Sequence, residues 1–178
     1  MKILGISGSL RAGSYNKAIL LKASELLPVN VEMSVHDLHQ LPLYDDILAA
    51  ENPPASVLAF REAIAQSDGL LIASPEYNYT ITGVLKNALD WAATNTISNL
   101  LSNKPIAIIG ASRTIFGTVR AQIHLRQVLH AVNANVIRKP EVFISRAQDL
   151  ITNDGVINDE KTISRIKELV HVLIREIT

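Results

Sequence analysis

Short apolar runs of strand length recur along this chain, and segments with helical spacing separate them. KILGIS (2–7), GLLIAS (69–74) and KPIAIIGAS (104–112) are almost unbroken apolar stretches, as expected of strands buried on both faces. VEMSVHDL (31–38) alternates instead, and strand material returns at Val136–Ile137 and EVFIS (141–145). Residues 16–27 place Ile19, Ala23, Leu26 and Leu27 on one helical face. QLPLYDDI reads as a loop punctuated by Pro42, and Pro53 and Pro54 suit the start of a helix reaching about Gln66. TGVLKNALDWAA is helical with Thr82 as its N-cap, residues 118–131 form another helix, and a last helix carries Ile163, Ile166, Leu169, Val170, Leu173, Ile174 and Ile177. Five strand–helix units imply an α/β fold, a doubly wound five-stranded parallel sheet with helices on both faces. No linker, repeat or low-complexity tract interrupts the 178 residues, so a single domain over 1–178 is expected.

Composition removes several classes of function. The 17 basic and 17 acidic side chains balance, which disfavours a nucleic-acid binder and a strongly acidic electron carrier. With no cysteine there are no disulfides, thiolate metal sites or cysteine nucleophiles, and a low-molecular-weight phosphatase is excluded. His36 and His39 fall in a strand exit, and His124 and His130 lie six apart on one helix, a poor ligand spacing, so no metal site is expected. No apolar run reaches the ~18 residues of a membrane span. MKILGISGS reads as a strand rather than a signal peptide, giving a cytoplasmic expectation without membrane insertion.

In open parallel sheets, ligands bind beyond the carboxyl ends of the strands. Three strand ends carry loops rich in small or polar residues. The first is GISGSLRAGSYNK (5–17), which leads into a helix whose first N–H groups and dipole favour an anion. Ser9, Ser14 and Asn16 add neutral donors and Arg11 a fixed charge, a set suited to a terminal phosphate without a metal. Gly8 and Gly13 have Walker spacing, but Ser14 and Tyr15 replace its Lys-Ser/Thr pair. Gly5, Gly8 and Gly13 are too widely spaced for the dinucleotide fingerprint, although Asp37 stands where a ribose-binding acid would sit. The hydrolase elbow is missed because Gly8 comes one place early, and Ser7 and Ser74 occupy strand ends where a phosphorylation receiver needs acids.

The second loop, SPEYNYTITG (74–83), combines tyrosine faces with hydrogen-bonding backbone and Asn78, the mixture a planar heteroaromatic ring needs. In the third, GASRTIFGTVR (110–120), Ser112 and nearby amides suit the far edge of that ring, while Arg113 or Arg120 suits a dinucleotide phosphate.

Two motifs in order make the chain resemble the NADPH-dependent FMN reductase family, which includes quinone, chromate and azo-dye reductases. One is G-S-L-R-x-x-S-x-N, here Gly8, Ser9, Leu10, Arg11, Ser14 and Asn16. The other is P-E-Y-N, here Pro75 to Asn78, followed by TGVLKNALDW (82–91). The resemblance implies a flavodoxin-like sheet of order 2-1-3-4-5 and an oxidoreductase with bound FMN. NADPH or NADH is its co-substrate and a small-molecule electron acceptor its partner. It implies cofactor-binding roles for Ser9, Arg11, Ser14, Tyr15 and Asn16 at the phosphate. Pro75, Glu76, Tyr77 and Asn78 would border the isoalloxazine, with Ser112 on its other side. No catalytic side chain is implied, since flavin N5 carries the chemistry. It also implies a homodimer or homotetramer with Trp91 near the dimer contact. The chain departs from the family at Arg113, Thr114, Ile115 and Phe116, where relatives often carry glycines. The competing class is an FMN-binding electron carrier or redox-sensing module without NAD(P)H oxidase activity. Arg11→Ala is expected to lower FMN affinity about tenfold or more while the chain stays folded, read from flavin retention and circular dichroism.

Overall fold

The computed structural model describes residues 1–94 and 97–178. Its strands are β1 (Lys2–Ser7), β2 (Glu32–His36), β3 (Gly69–Ala73), β4 (Pro105–Ala111), β5 (Asn135–Val136) and β6 (Val142–Ile144). The helices are α1 (Tyr15–Glu25), α2 (Asp46–Glu51), α3 (Ala55–Ala65), α4 (Gly83–Ala93), α5 (Val119–Ala131), α6 (Ala147–Leu150) and α7 (Glu160–Ile177). All strand pairings are parallel and the order is β2-β1-β3-β4-β5, the flavodoxin-like arrangement.

The sheet departs from five strands in one respect. Its fifth position is split, with β5 pairing the start of β4 at Pro105 and Ile106 and β6 pairing its end from Ile109 to Ala111. Pro140 lies between the two pieces and has no N–H to continue a ladder. The segment expected as a plain loop near Asp46 instead holds α2, started by Asp45, whose carboxylate accepts from the Leu48 N–H at 2.9 Å. The short helix α6 was likewise not legible in the apolar pattern, because four residues are too few to show a period.

Residue alternation along each strand divides the core. Ile3, Leu71, Ala73, Ala107, Ile109 and Ala111 pack against α1 and α7. Leu4, Ile6, Leu70, Ile72, Ile106 and Ile108 pack against α3, α4 and α5 on the other face. Trp91 belongs to a third cluster with Ala49 and Val57. Its indole is fully buried in its own chain, lies edge-on to Tyr44 at 5.0 Å, and donates to the Pro42 carbonyl at 2.9 Å. Arg61 is also buried. Its guanidinium donates to the Trp91 carbonyl at 2.6 Å and to the Ser98 carbonyl at 2.8 Å, supplying donors near the end of α4.

At the carboxyl end of β4 the backbone comes so close to its neighbours that only glycine fits. A Cβ on Gly110 would collide with Thr118 Oγ1 and the Ser74 carbonyl oxygen. Gly110→Ala is therefore expected to destabilise the fold by about 3 kcal/mol, measured as a fall in urea midpoint.

Candidate flavin site

The parallel sheet brings the carboxyl ends of β1, β3 and β4 to one edge, and the three polar loops meet there. Loop one covers residues 8–14. Ser14 ends it as the N-cap of α1, accepting from the Lys17 N–H at 3.4 Å. The N–H groups of Tyr15 and Asn16 open this helix and have no carbonyl of their own helix within reach. Arg11 is exposed, donates to the Gly13 carbonyl at 2.9 Å and lies 5.3 Å from the Tyr15 ring centroid. Ser9 is half-buried. Its N–H donates to Ser7 Oγ at 3.3 Å, and its own Oγ accepts from the Arg11 N–H at 3.4 Å. Amides, hydroxyls and one guanidinium thus gather over a helix start. This donor set fits a phosphate monoester, because it offers positive potential and many donors without an acidic group to hold magnesium.

Asn16 does something its place in the motif did not reveal. Its carboxamide is buried and pairs with both backbone groups of Ala111, Nδ2 donating to the carbonyl at 3.1 Å and Oδ1 accepting from the N–H at 3.0 Å. The side chain therefore staples α1 to the end of β4, leaving the Asn16 backbone N–H as its donor toward a ligand at the helix start.

The loop after β3 is a tight hairpin. Tyr77 and Thr80 exchange two backbone bonds of 3.0 and 3.1 Å, and Asn78 (φ 48°) and Tyr79 (φ 70°) both take left-handed backbone. Two positive φ values at the tip are the type I′ arrangement. Asparagine tolerates that region, whereas tyrosine is strained there. Pro75 is buried beneath the turn, while Tyr77 and Tyr79 stand exposed.

Glu76 explains what holds that hairpin. Its side chain is 6% exposed, and one oxygen accepts from the backbone N–H groups of Arg120 (3.0 Å) and Ala121 (3.1 Å). Helix α5 has no cap from its own Thr118 side chain, so Glu76 caps it from another loop. The second oxygen accepts from Arg120 Nε at 2.6 Å and pairs with Nη2. Arg120 also lies 3.9 Å from the Tyr79 ring centroid and 4.7 Å from that of Phe116. Of the two arginines considered for a dinucleotide phosphate, Arg120 is thus engaged inside this clamp and Arg113 is exposed.

The loop after β4 is organised by Ser112. Its hydroxyl donates to the Gly117 carbonyl at 2.5 Å and accepts from the Thr114 N–H at 3.2 Å. Its backbone N–H donates to the Ile144 carbonyl at 3.0 Å. Loop one and the loop after β3 are joined as well, since Thr82, the N-cap of α4, also donates through Oγ1 to the Gly8 carbonyl at 2.6 Å. Each loop is therefore tied to the other two by a side chain bonding to backbone. Sequence spacing gave no signal for the Asn16–Ala111 and Glu76–Arg120 ties, whose partners lie 95 and 44 residues apart.

The strand order and the phosphate-type loop define a flavodoxin-like α/β protein. The NADPH-dependent FMN reductase model matches residues 1–149. An NAD(P)H-dependent FMN reductase of Pseudomonas aeruginosa is 46% identical over 173 residues, covering 97% of this chain and 93% of that protein. An NAD(P)H:quinone oxidoreductase of Solanum tuberosum is 39% identical over 179 residues, covering 97% and 91%. Among solved structures, the flavoenzyme NAD(P)H:(acceptor) oxidoreductase FerB of Paracoccus denitrificans superposes with a TM-score of 0.89 at 32% identity, over 99% of this chain and 96% of that one. The chain belongs to the NADPH-dependent FMN reductase family and is an oxidoreductase of that family.

Glu76→Ala is expected to cost about 3 kcal/mol of stability, because it leaves a guanidinium and two helix-start amides without their acceptor. The urea midpoint should fall, and FMN should dissociate faster as the hairpin loosens. An unchanged midpoint would show that α5 is capped without it.

Proposed function

We propose that this chain is an NAD(P)H-dependent FMN enzyme that passes two electrons to quinones and related acceptors, azo dyes and metal oxyanions among them, by a ping-pong cycle. The observation that carries the reading is loop one: unpaired helix-start amides, Ser9 and exposed Arg11 gathered beside a strained hairpin, with no lysine or acid to serve a metal-bound triphosphate. Names of relatives support the acceptor class, two of them being an NAD(P)H:quinone oxidoreductase and a quinone reductase.

Bound FMN would supply two-electron hydride chemistry between a nicotinamide and an acceptor. The protein holds and orients. Amides of Tyr15 and Asn16, the hydroxyls of Ser9 and Ser14, and Arg11 would hold the phosphate. The backbone of residues 75–78 would border one edge of the ring system, and the segment from Ser112 the other. Tyr77 and Tyr79, both exposed at the hairpin, leave an apolar rim beside an open face. Nicotinamide and acceptor would occupy that face in turn, so a side-chain nucleophile has no part in the cycle. No helix among the described residues is long and apolar enough to cross a membrane. We place the enzyme in the cytoplasm as a homodimer or homotetramer.

The purified protein should be yellow, and NADPH should bleach it under anaerobic conditions before any acceptor is added. Steady-state double-reciprocal plots against a quinone should be parallel. Intersecting lines that require a ternary complex would overturn the ping-pong cycle, and a yellow protein left oxidised by both NADPH and NADH would identify an electron carrier instead.

A further inference from the structure

A cavity of about 270 Å³ opens on the far side of loop one from the hairpin. Ser9 and Arg11 of loop one, Lys17 in the first turns of α1, and His36, Asp37 and His39 at the exit of β2 form its polar walls. The order β2-β1-β3-β4 places loop one between this cavity and the loops after β3 and β4. A flavin reaching from loop one toward the hairpin extends away from it.

The charges in the wall are unequal. Arg11 and Lys17 are the basic side chains of the wall. Asp37 is the one carboxylate, and it is turned onto its neighbour, accepting from the His39 N–H at 3.0 Å and lying 2.5 Å from His39 Nδ1. These contacts, the backbone N–H first, together with the nearby charge of Lys17, hold the Asp37 carboxyl below its usual range. His36 is tilted against Phe60 with ring centroids 5.0 Å apart, and burial lowers its pKa, so the imidazole offers a neutral flat wall. In dinucleotide-binding folds an acid at the end of the second strand binds a ribose 2′-hydroxyl, and its charge disfavours a 2′-phosphate. Here that acid is diverted to His39, and Lys17 and Arg11 face the space beside it. The exit of β2 lies about two and a half strand spacings, roughly 12 Å, from the loops that flank the flavin. An extended dinucleotide bridges that span.

We propose that this cavity receives the phosphorylated adenosine end of NADPH, with Lys17 binding the 2′-phosphate, Arg11 completing the wall it shares with loop one, and His36 lying beside the purine. The proposal rests on the NAD(P)H-dependent reading and assigns the preference for the phosphorylated cofactor to Lys17.

The test is calorimetric titration of the FMN-loaded protein with adenosine 2′,5′-bisphosphate and, separately, with 5′-AMP. The bisphosphate should bind at least tenfold more tightly. Lys17 is exposed, so Lys17→Gln should fold normally; it should lower bisphosphate affinity about tenfold and reduce the ratio of kcat/KM for NADPH to that for NADH by a similar factor. Lys17→Glu should abolish the discrimination. Equal binding of the two nucleotides, or a Lys17→Gln protein with undiminished bisphosphate affinity, would overturn the subsite. The titration involves no turnover, so its failure beside normal bleaching by NADPH overturns the subsite alone, whereas absence of bleaching overturns the enzyme reading.

Discussion

A parallel sheet buried on both faces sends every strand toward the same edge, and that constraint organises the rest of the molecule. The chain leaves β1, β3 and β4 at three successive strand positions, each roughly 5 Å from the next, and each exit carries backbone groups that need partners. Neighbouring loops supply them. Thr82 bonds to the Gly8 carbonyl, Asn16 to both groups of Ala111, and Glu76 to the first amides of α5. The approach is so close at Gly110 that a methyl group has no room. The site is thereby built from loops yet held with the rigidity of the sheet.

That arrangement separates two tasks. The interior of the edge is spent on structure, since the side chains of Asn16, Thr82 and Glu76 all turn inward to backbone. The outer surface keeps the groups suited to a ligand: helix-start amides, Arg11 and the tyrosines of the hairpin. The Glu76–Arg120 pair shows how the two meet. A capped helix fixes the guanidinium, the guanidinium carries the rings of Tyr79 and Phe116, and the strained backbone of Tyr79 is held in place by that stack. Phe116, from the loop after β4, supplies one face of the clamp.

Much of this was legible before any coordinates. Unbroken apolar runs marked β1, β3 and β4, alternation marked β2, and Thr82 marked the start of α4. The composition of the loop after β1 marked it as a donor-rich turn leading into a helix. Less legible were features resting on few residues or distant ones. The split of the fifth strand depends on pairing with β4 rather than on its own short apolar runs. Asn16 stood in a ligand motif, yet its carboxamide is committed to Ala111. Glu76 resembled a ring-bordering residue, and only its proximity to α5 revealed a cap. The burial of Trp91 within its own chain, edge-on to Tyr44, was likewise not legible in consecutive residues.

The sequence by itself determined the fold class, the position of the glycine- and serine-rich loop after β1 and the family, because local periodicity and short motifs are written in consecutive residues. Tertiary structure decided how the loops are locked together and which polar side chains remain free to face a ligand. It also decided that Asp37, placed like a ribose-binding acid, is turned onto His39 beside Lys17 and Arg11. The physical reason is that a polar side chain takes its role from the nearest unpaired partner, and that partner often lies on another strand's loop, tens of residues away in the chain.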